Sequence, residues 1–207
     1  NHAHSSGCSL STLYPYFHLL FERNFMIINK ASQISTKKGD KGTSKTYSSE
    51  IFDKDDLIFE VLGTMDELSA SLGICYHHSQ CENLKLIQKT LQTINSIIAT
   101  SKEKTPEQYD SLKWVDATDV SFLEQETQKY MDIKPLEPRF VLPASESTPN
   151  NAYFDVSRTI ARRAERVLVR YKRALGRDDL DLPMQYLNRL SDLLFVMARN
   201  FPNPNDD

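Results

Sequence analysis

No glycine stands between Gly73 and Gly176, nearly half of this 207-residue chain. Tight strand-to-strand turns depend on glycine, so a sandwich or barrel would have nowhere to reverse in that stretch. Helices need none, and a glycine inside one weakens it. From Leu57 onward the apolar residues recur at helical spacing. Leu57, Val61, Met65, Leu68 and Leu72 predict a helix over about 57–78, and Leu84, Ile87, Leu91, Ile94, Ile97 and Ile98 a second over about 82–100. A polar stretch containing Pro106 leads to a shorter helix near 119–131. The connector "IKPLEPRFVLPASESTP" follows, in which Pro135, Pro138, Pro143 and Pro149 exclude a continuing helix.

Val156, Ile160, Ala164, Val167, Tyr171 and Ala174 form an apolar stripe over about 151–175, with Gly176 placed to end that helix. A last helix, with Pro183 suited to its first position, buries Leu187, Leu190, Leu194, Met197 and Phe201. Five helices and one long proline-rich connection predict an all-α, five-helix bundle over 34–207. Ahead of them, 34–56 reads as a polar loop without periodicity, and 1–33 as an N-terminal tail. The tail shows neither the basic start and small-residue cleavage site of a secretory signal nor the acid-free arginine content of a transit peptide.

Composition removes several classes. The net charge of −3 argues against a duplex nucleic-acid binder. Cys8, Cys75 and Cys81 give an odd count with no CxxC, and His2, His4, His18, His77 and His78 form no HExxH or ExxH pattern, so a metal centre is not expected. No run approaches a membrane span.

The chemistry concentrates on the last two helices. Arg158, Arg162, Arg163, Arg166, Arg170 and Arg173 outnumber lysine six to one over 151–175, with Glu165 among them. Helix propensity does not separate the two residues, so the choice of guanidinium suggests carboxylate or phosphate recognition. A solvated charged face is the plainer alternative. In "LNRLSDLLF", Asn188 and Asp192 share a face, as either a ligand-facing pair or an interhelical contact. In "GTMDELSASLG", Asp66, Ser69, Ala70 and Gly73 make a small-residue face where Asp66 needs a cation, an arginine of 151–175 being the natural partner, in the chain or across a subunit boundary. Asp66 could otherwise simply offset the helix dipole. The loop "TKKGDKGTSK" offers glycine-freed amides and lysines for a phosphate, or is only a flexible basic loop.

Taken in order, "TKKGDKGTS", "KDDLIFEVLGTMDELSASLG", "FVLP", "SRTIARRAERVLV" and "LNRLSDLLFVMAR" resemble the PduO-type ATP:cob(I)alamin adenosyltransferases, from Thr36 to Arg199, and most of all their eukaryotic, mitochondrial branch. The resemblance implies a ferritin-like homotrimer with active sites between subunits, using ATP, Mg²⁺ and cobalamin, with no nucleic-acid or membrane partner. A mitochondrial or cytoplasmic location goes with it. The implied reaction transfers the 5′-deoxyadenosyl group of ATP to cobalt(I) of the corrinoid. By the same resemblance, ATP contacts fall on Thr36, Lys37, Lys38, Gly39, Ser44, Lys45, Lys54, Arg162, Arg163, Glu165, Arg166 and Asn188. Asp66 and Arg158 match an intersubunit salt bridge beside the corrinoid, and Phe140 the aromatic that displaces the lower cobalt ligand. On bare sequence Phe140 could equally be a core aromatic. The chain departs from the family at Ala144-Ser145-Glu146, where a glycine pair is usual, and near Ser49, where a glycine is usual. Those departures leave an ATP-binding trimer without corrinoid turnover as the alternative function.

Overall fold

The computed structural model describes residues 29–34, 37, 39–145 and 148–202, and the chain divides into two compact units between Asp40 and Lys41. In the first unit α1 (Ala31–Ile34) is a single turn. The second opens with β1 (Thr43–Lys45) and β2 (Ile51–Asp53), an antiparallel pair in the register Thr43↔Asp53, Ser44↔Phe52, Lys45↔Ile51. The sequence pointed to a plain loop here. Strands of three residues are too short to display an alternation, so the hairpin carries no periodic signal.

Five long helices follow, as expected: α2 (Leu57–Ser79), α3 (Asn83–Ala99), α5 (Ala117–Ile133), α6 (Pro149–Leu175) and α7 (Asp181–Asn200), with the short α4 (Pro106–Asp110) between α3 and α5. Their ends follow capping chemistry. Asp56 caps α2, its carboxylate accepting the Ile58 N–H at 2.9 Å. Asp116 and Asp119 form a reciprocal capping box, which starts α5 two residues before the expected 119. Pro149, read as a breaker, is instead the first residue of α6 behind the cap Thr148, where its missing N–H costs nothing. Pro183 lies in the first turn of α7 rather than opening it, because a 3₁₀ turn (Asp178–Leu180) feeds directly into Asp181. That turn is pinned by Arg177, whose guanidinium bonds Asp179 (2.7 Å) and the Ile97 carbonyl (3.1 Å), and by Tyr109, which donates to Asp179 (2.7 Å). Burial pushes the Asp179 carboxyl up, but these bonds outweigh it and hold it below its ordinary value.

Across the bundle the order is α3–α2–α6–α7–α5, which makes α6 the central element between α2 and α7. This corrects the stripe expected for α6. The buried row is Phe154, Ser157, Ala161, Ala164, Leu168 and Tyr171, whereas Val156 is 55% exposed and Ala174 is exposed. Two neighbouring helices must come close on either side, so small residues occupy the inner positions, and Ile160 and Val167 pack only at the margin of the core. Beyond α7, Phe201 packs tilted against Phe154 and Tyr130 at centroid separations of 5.4 and 5.7 Å. Asn200 donates to the carbonyls of Tyr130 (2.9 Å) and Lys134 (2.6 Å), fixing where the connector leaves α5.

Candidate functional site

The outer face of α6 and the adjoining turn of α7 bring together most of the expected helical residues. Asn188 donates through Nδ2 to Glu165 Oε1 at 3.1 Å and accepts from Arg189 at 2.7 Å. Arg162 is exposed, its carbonyl taking a bond from Arg166 Nη1 at 3.1 Å. Arg163 pairs with Glu67 of α2. A carboxylate and an amide thus face each other across the helix pair, and Arg166, next to Glu165, and Arg162, one turn before it, are exposed to solvent. Asp192 is exposed and lies one turn beyond Asn188 on α7.

Further toward the start of α6 lies a residue the sequence reading missed. Asp155 is 3% exposed. Its Oδ1 accepts from Arg158 Nε at 3.0 Å and from Arg199 Nη1 at 3.5 Å, and its Oδ2 accepts the Ala144 N–H of the connector at 3.0 Å. Arg199 also donates to the Phe195 carbonyl at 2.7 Å and lies 3.8 Å over the Phe195 ring. The signal was available: Asp155 follows the inward Phe154 and precedes Arg158 by three residues, the spacing of a helical ion pair.

In this single chain, then, Arg158 bonds Asp155. Asp66 is exposed on α2 and lines a groove of about 460 Å³ shared with Ser69, Lys85, Gln88 and Asn95. Of the small-residue face of α2, Ser69 and Gly73 border α3, where Gln88 Nε2 donates to the Ser69 carbonyl at 2.8 Å, while Asp66 and Ala70 are exposed. Phe140 is 87% exposed, which removes the core-aromatic reading. Cys75 is a buried thiol 3.2 Å from Ser157 between α2 and α6, and burial pushes it up to about 11, so it is no nucleophile at neutral pH.

On the hairpin, Ser44 is half-buried, while Lys45 and the following Lys54 are exposed. The hairpin is held at both ends. Phe52 packs edge-on against Phe59 of α2 (6.4 Å), and Ser48 Oγ accepts the Ser101 N–H (2.7 Å) and shares a 2.9 Å bond with the Thr105 hydroxyl. Lys37 and Gly39 belong to the first unit, where the Lys37 carbonyl accepts the Asp40 N–H at 3.4 Å. Thr36 and Lys38 lie outside the described residues. Among the described residues no three His, Cys, Asp or Glu side chains converge as a metal site, and no helix is long and apolar enough to cross a membrane.

Exposed guanidinium forks beside a paired carboxylate and amide suit a polyanion with a polar sugar or base attached. Comparison with known proteins shows the family. The family model for cobalamin adenosyltransferase matches residues 34–201. Corrinoid adenosyltransferase MMAB of Bos taurus is 36% identical over 176 residues, covering 82% of this chain and 71% of that protein. The Homo sapiens protein of the same name is 37% identical over 173 residues, covering 81% and 68%. Among solved structures, a variant of the PduO-type ATP:corrinoid adenosyltransferase from Lactobacillus reuteri, complexed with cobalamin and ATP, superposes with a TM-score of 0.69 at 30% identity, covering 81% of this chain and 89% of that one.

Proposed function

This chain belongs to the cobalamin adenosyltransferase family, and from that membership we propose that it is a corrinoid adenosyltransferase. It transfers the 5′-deoxyadenosyl group of ATP to cobalt(I) of a corrinoid. The cobalt electron pair attacks C5′, a cobalt–carbon bond forms, the C5′–oxygen bond breaks, and its electron pair leaves with triphosphate. Cobalt(I) is a strong enough nucleophile that no general base is required, so the protein's work is alignment and neutralisation of the leaving group. The observation that carries the reading is the α6–α7 seam, where Glu165 and Asn188 are bonded beside the exposed Arg162 and Arg166 inside the matched region.

In this reading Arg162, Arg163 and Arg166 meet the triphosphate, while Glu165 and Asn188 orient the nucleoside. The family resemblance adds Thr36, Lys37, Lys38, Gly39, Ser44, Lys45 and Lys54 as further ATP contacts. Mg²⁺ would be held by the nucleotide's own phosphates and would supply charge neutralisation to the departing triphosphate; a cation that keeps most of its ligands as phosphate and water needs no protein cage. The assembly is a homotrimer in which Asp66 of one copy reaches Arg158 of the next. The exposure of Asp66 and the use of only the Nε of Arg158 by Asp155 support this. Light scattering at micromolar concentration checks it, and a monomer would overturn it. A mitochondrial location rests on the resemblance to the eukaryotic branch, and fractionation of the source cells tests it.

Phe140, exposed between Pro138 and Pro143, covers the lower face of the corrinoid and leaves Co(II) four-coordinate and easier to reduce. Phe140→Ala should leave folding and ATP affinity intact while adenosylation and the four-coordinate Co(II) signal fall. The deciding experiment incubates the protein with ATP, Mg²⁺ and chemically reduced cobalamin. Equal amounts of adenosylcobalamin and triphosphate are expected. ATP binding with no adenosylcobalamin would leave a nucleotide-binding relative instead.

A further inference from the structure

We propose that Asp155 is a positioning residue that holds the Phe140-bearing connector and the Arg158 guanidinium in one arrangement; this rests on the adenosyltransferase reading above. The connector turns at Pro143-Ala144, where the Ser145 N–H bonds the Leu142 carbonyl at 3.1 Å. Ala144 sits there with φ 61°, in the left-handed region. A turn with proline at its second residue and a positive φ at its third ordinarily takes glycine at that third position, because any Cβ is strained there. Here an alanine occupies it, and a buried carboxylate accepts its N–H at 3.0 Å. Asp155 therefore supplies the restraint that an unstrained turn would not need.

The same carboxylate orients two cations. Arg158 donates to Oδ1 through Nε at 3.0 Å, and Arg199 Nη1 donates to the same oxygen at 3.5 Å, leaving Oδ2 for the Ala144 N–H. Arg199, Phe195 and Val141 line one small cavity between α7 and the connector, so the connector is backed by the arginine that Asp155 holds. The ends of the connector are otherwise tied through the Lys134 carbonyl to Asn200 and through Thr148 to the start of α6. Between those ties, the Asp155 bond to Ala144 reaches from the helices into the loop nearest Phe140. A shift of the connector would move Phe140 away from the corrinoid without touching Glu165 or Asn188, so the effect belongs to the corrinoid step and not to nucleotide binding.

The test is Asp155→Asn, alone and combined with Ala144→Gly. The amide can accept from Arg158 or from the Ala144 N–H but cannot serve both as an anion. The expected result is a kcat for adenosylation lowered roughly ten- to hundredfold, the scale of a small misplacement at a reacting centre. The four-coordinate Co(II) signal should fall with it, while ATP affinity stays as in the unaltered protein. Ala144→Gly should restore part of the signal, because glycine holds the turn without the carboxylate. A folded Asp155→Asn protein with unchanged kcat and signal overturns the proposal. So does a loss that ATP affinity shares in proportion and that Ala144→Gly fails to restore. If Asp155→Asn does not fold, Asp155→Glu serves: it keeps the charge but displaces the Ala144 bond, and an undiminished four-coordinate signal overturns the proposal equally. Hydrogen exchange at the Ala144 amide, slow in the unaltered protein and fast in Asp155→Asn, reads the anchor with no corrinoid present. It separates failure of this inference from failure of the adenosyltransferase reading.

Discussion

The α6–α7 seam holds its candidate site residues by packing, while among the described residues the hairpin over 43–53 and the connector over 134–145 are tied to the helices chiefly by single side-chain contacts. Along the seam, Ala161, Ala164, Leu168, Leu187, Leu190 and Leu194 are fully buried, and Glu165 and Asn188 ride on helices that cannot slide without opening that core. Among the described residues, Phe52 and the hydroxyl of Ser48 tie the hairpin, and Asn200 and Asp155 tie the connector. Both loops contain an L-residue in the left-handed region, Ser49 at φ 61° and Ala144 at φ 61°. The difference separates two kinds of vulnerability. Damage to the seam removes the fold and the proposed nucleotide site together, whereas damage to a loop anchor leaves a folded protein with one displaced part.

The largest effect expected from this contrast lies in the seam. Leu190→Ala deletes a fully buried side chain and should cost about 2–5 kcal/mol in folding stability. Urea denaturation followed by circular dichroism measures it, and a loss below that range would show that the seam can collapse around a cavity and is softer than its packing implies. Next comes Arg162→Ala. The residue is exposed, so stability should not change, but a guanidinium aimed at phosphate forfeits charge-assisted bonds worth roughly 1.5–3 kcal/mol of ATP binding. Calorimetric titration of ATP with Mg²⁺ into both proteins decides it, and equal affinities would return the arginine face to a solvated surface.

The same contrast explains what could be read from the sequence. The five long helices were legible because their apolar spacing runs for several turns, and their family likeness because the motifs on α2, α6 and α7 stand on that regular frame. The inner face of α6 was misplaced because spacing was judged by large apolar residues. Val156 drew the stripe outward, while the truly buried Ser157 and Ala161 carry little hydrophobicity and are inside because α2 and α7 need room. Asp155 was passed over for a related reason, since an acid beside an arginine on a charged helix reads as surface, and only the tertiary structure shows the connector's Ala144 N–H arriving on it. The hairpin gave no signal at all: its strands are three residues long, and its strength comes from Ser48 meeting Ser101 and Thr105, residues more than fifty positions away.

The smallest effect concerns Ser49. The loop between β1 and β2 closes with the Ser49 N–H on the Thr46 carbonyl (3.0 Å) and the Thr46 N–H on the Glu50 carbonyl (2.9 Å), an arrangement that places its penultimate residue in the left-handed region. An L-residue there costs roughly 1–2 kcal/mol relative to its preferred basins. Ser49→Gly removes that cost, but glycine also enlarges the freedom of the unfolded chain, which takes back about 0.4–1 kcal/mol. The net expectation is a stabilisation of up to about 1.6 kcal/mol, visible as a higher denaturation midpoint with an unchanged slope. The Ser49 side chain is exposed, so the substitution removes no core contact. ATP affinity should then stay constant, because Ser48 and Phe52 still fix the hairpin against α2 and α3. A weaker affinity together with the raised midpoint would show that the strained serine, and not those two anchors, sets how Ser44, Lys45 and Lys54 face the nucleotide.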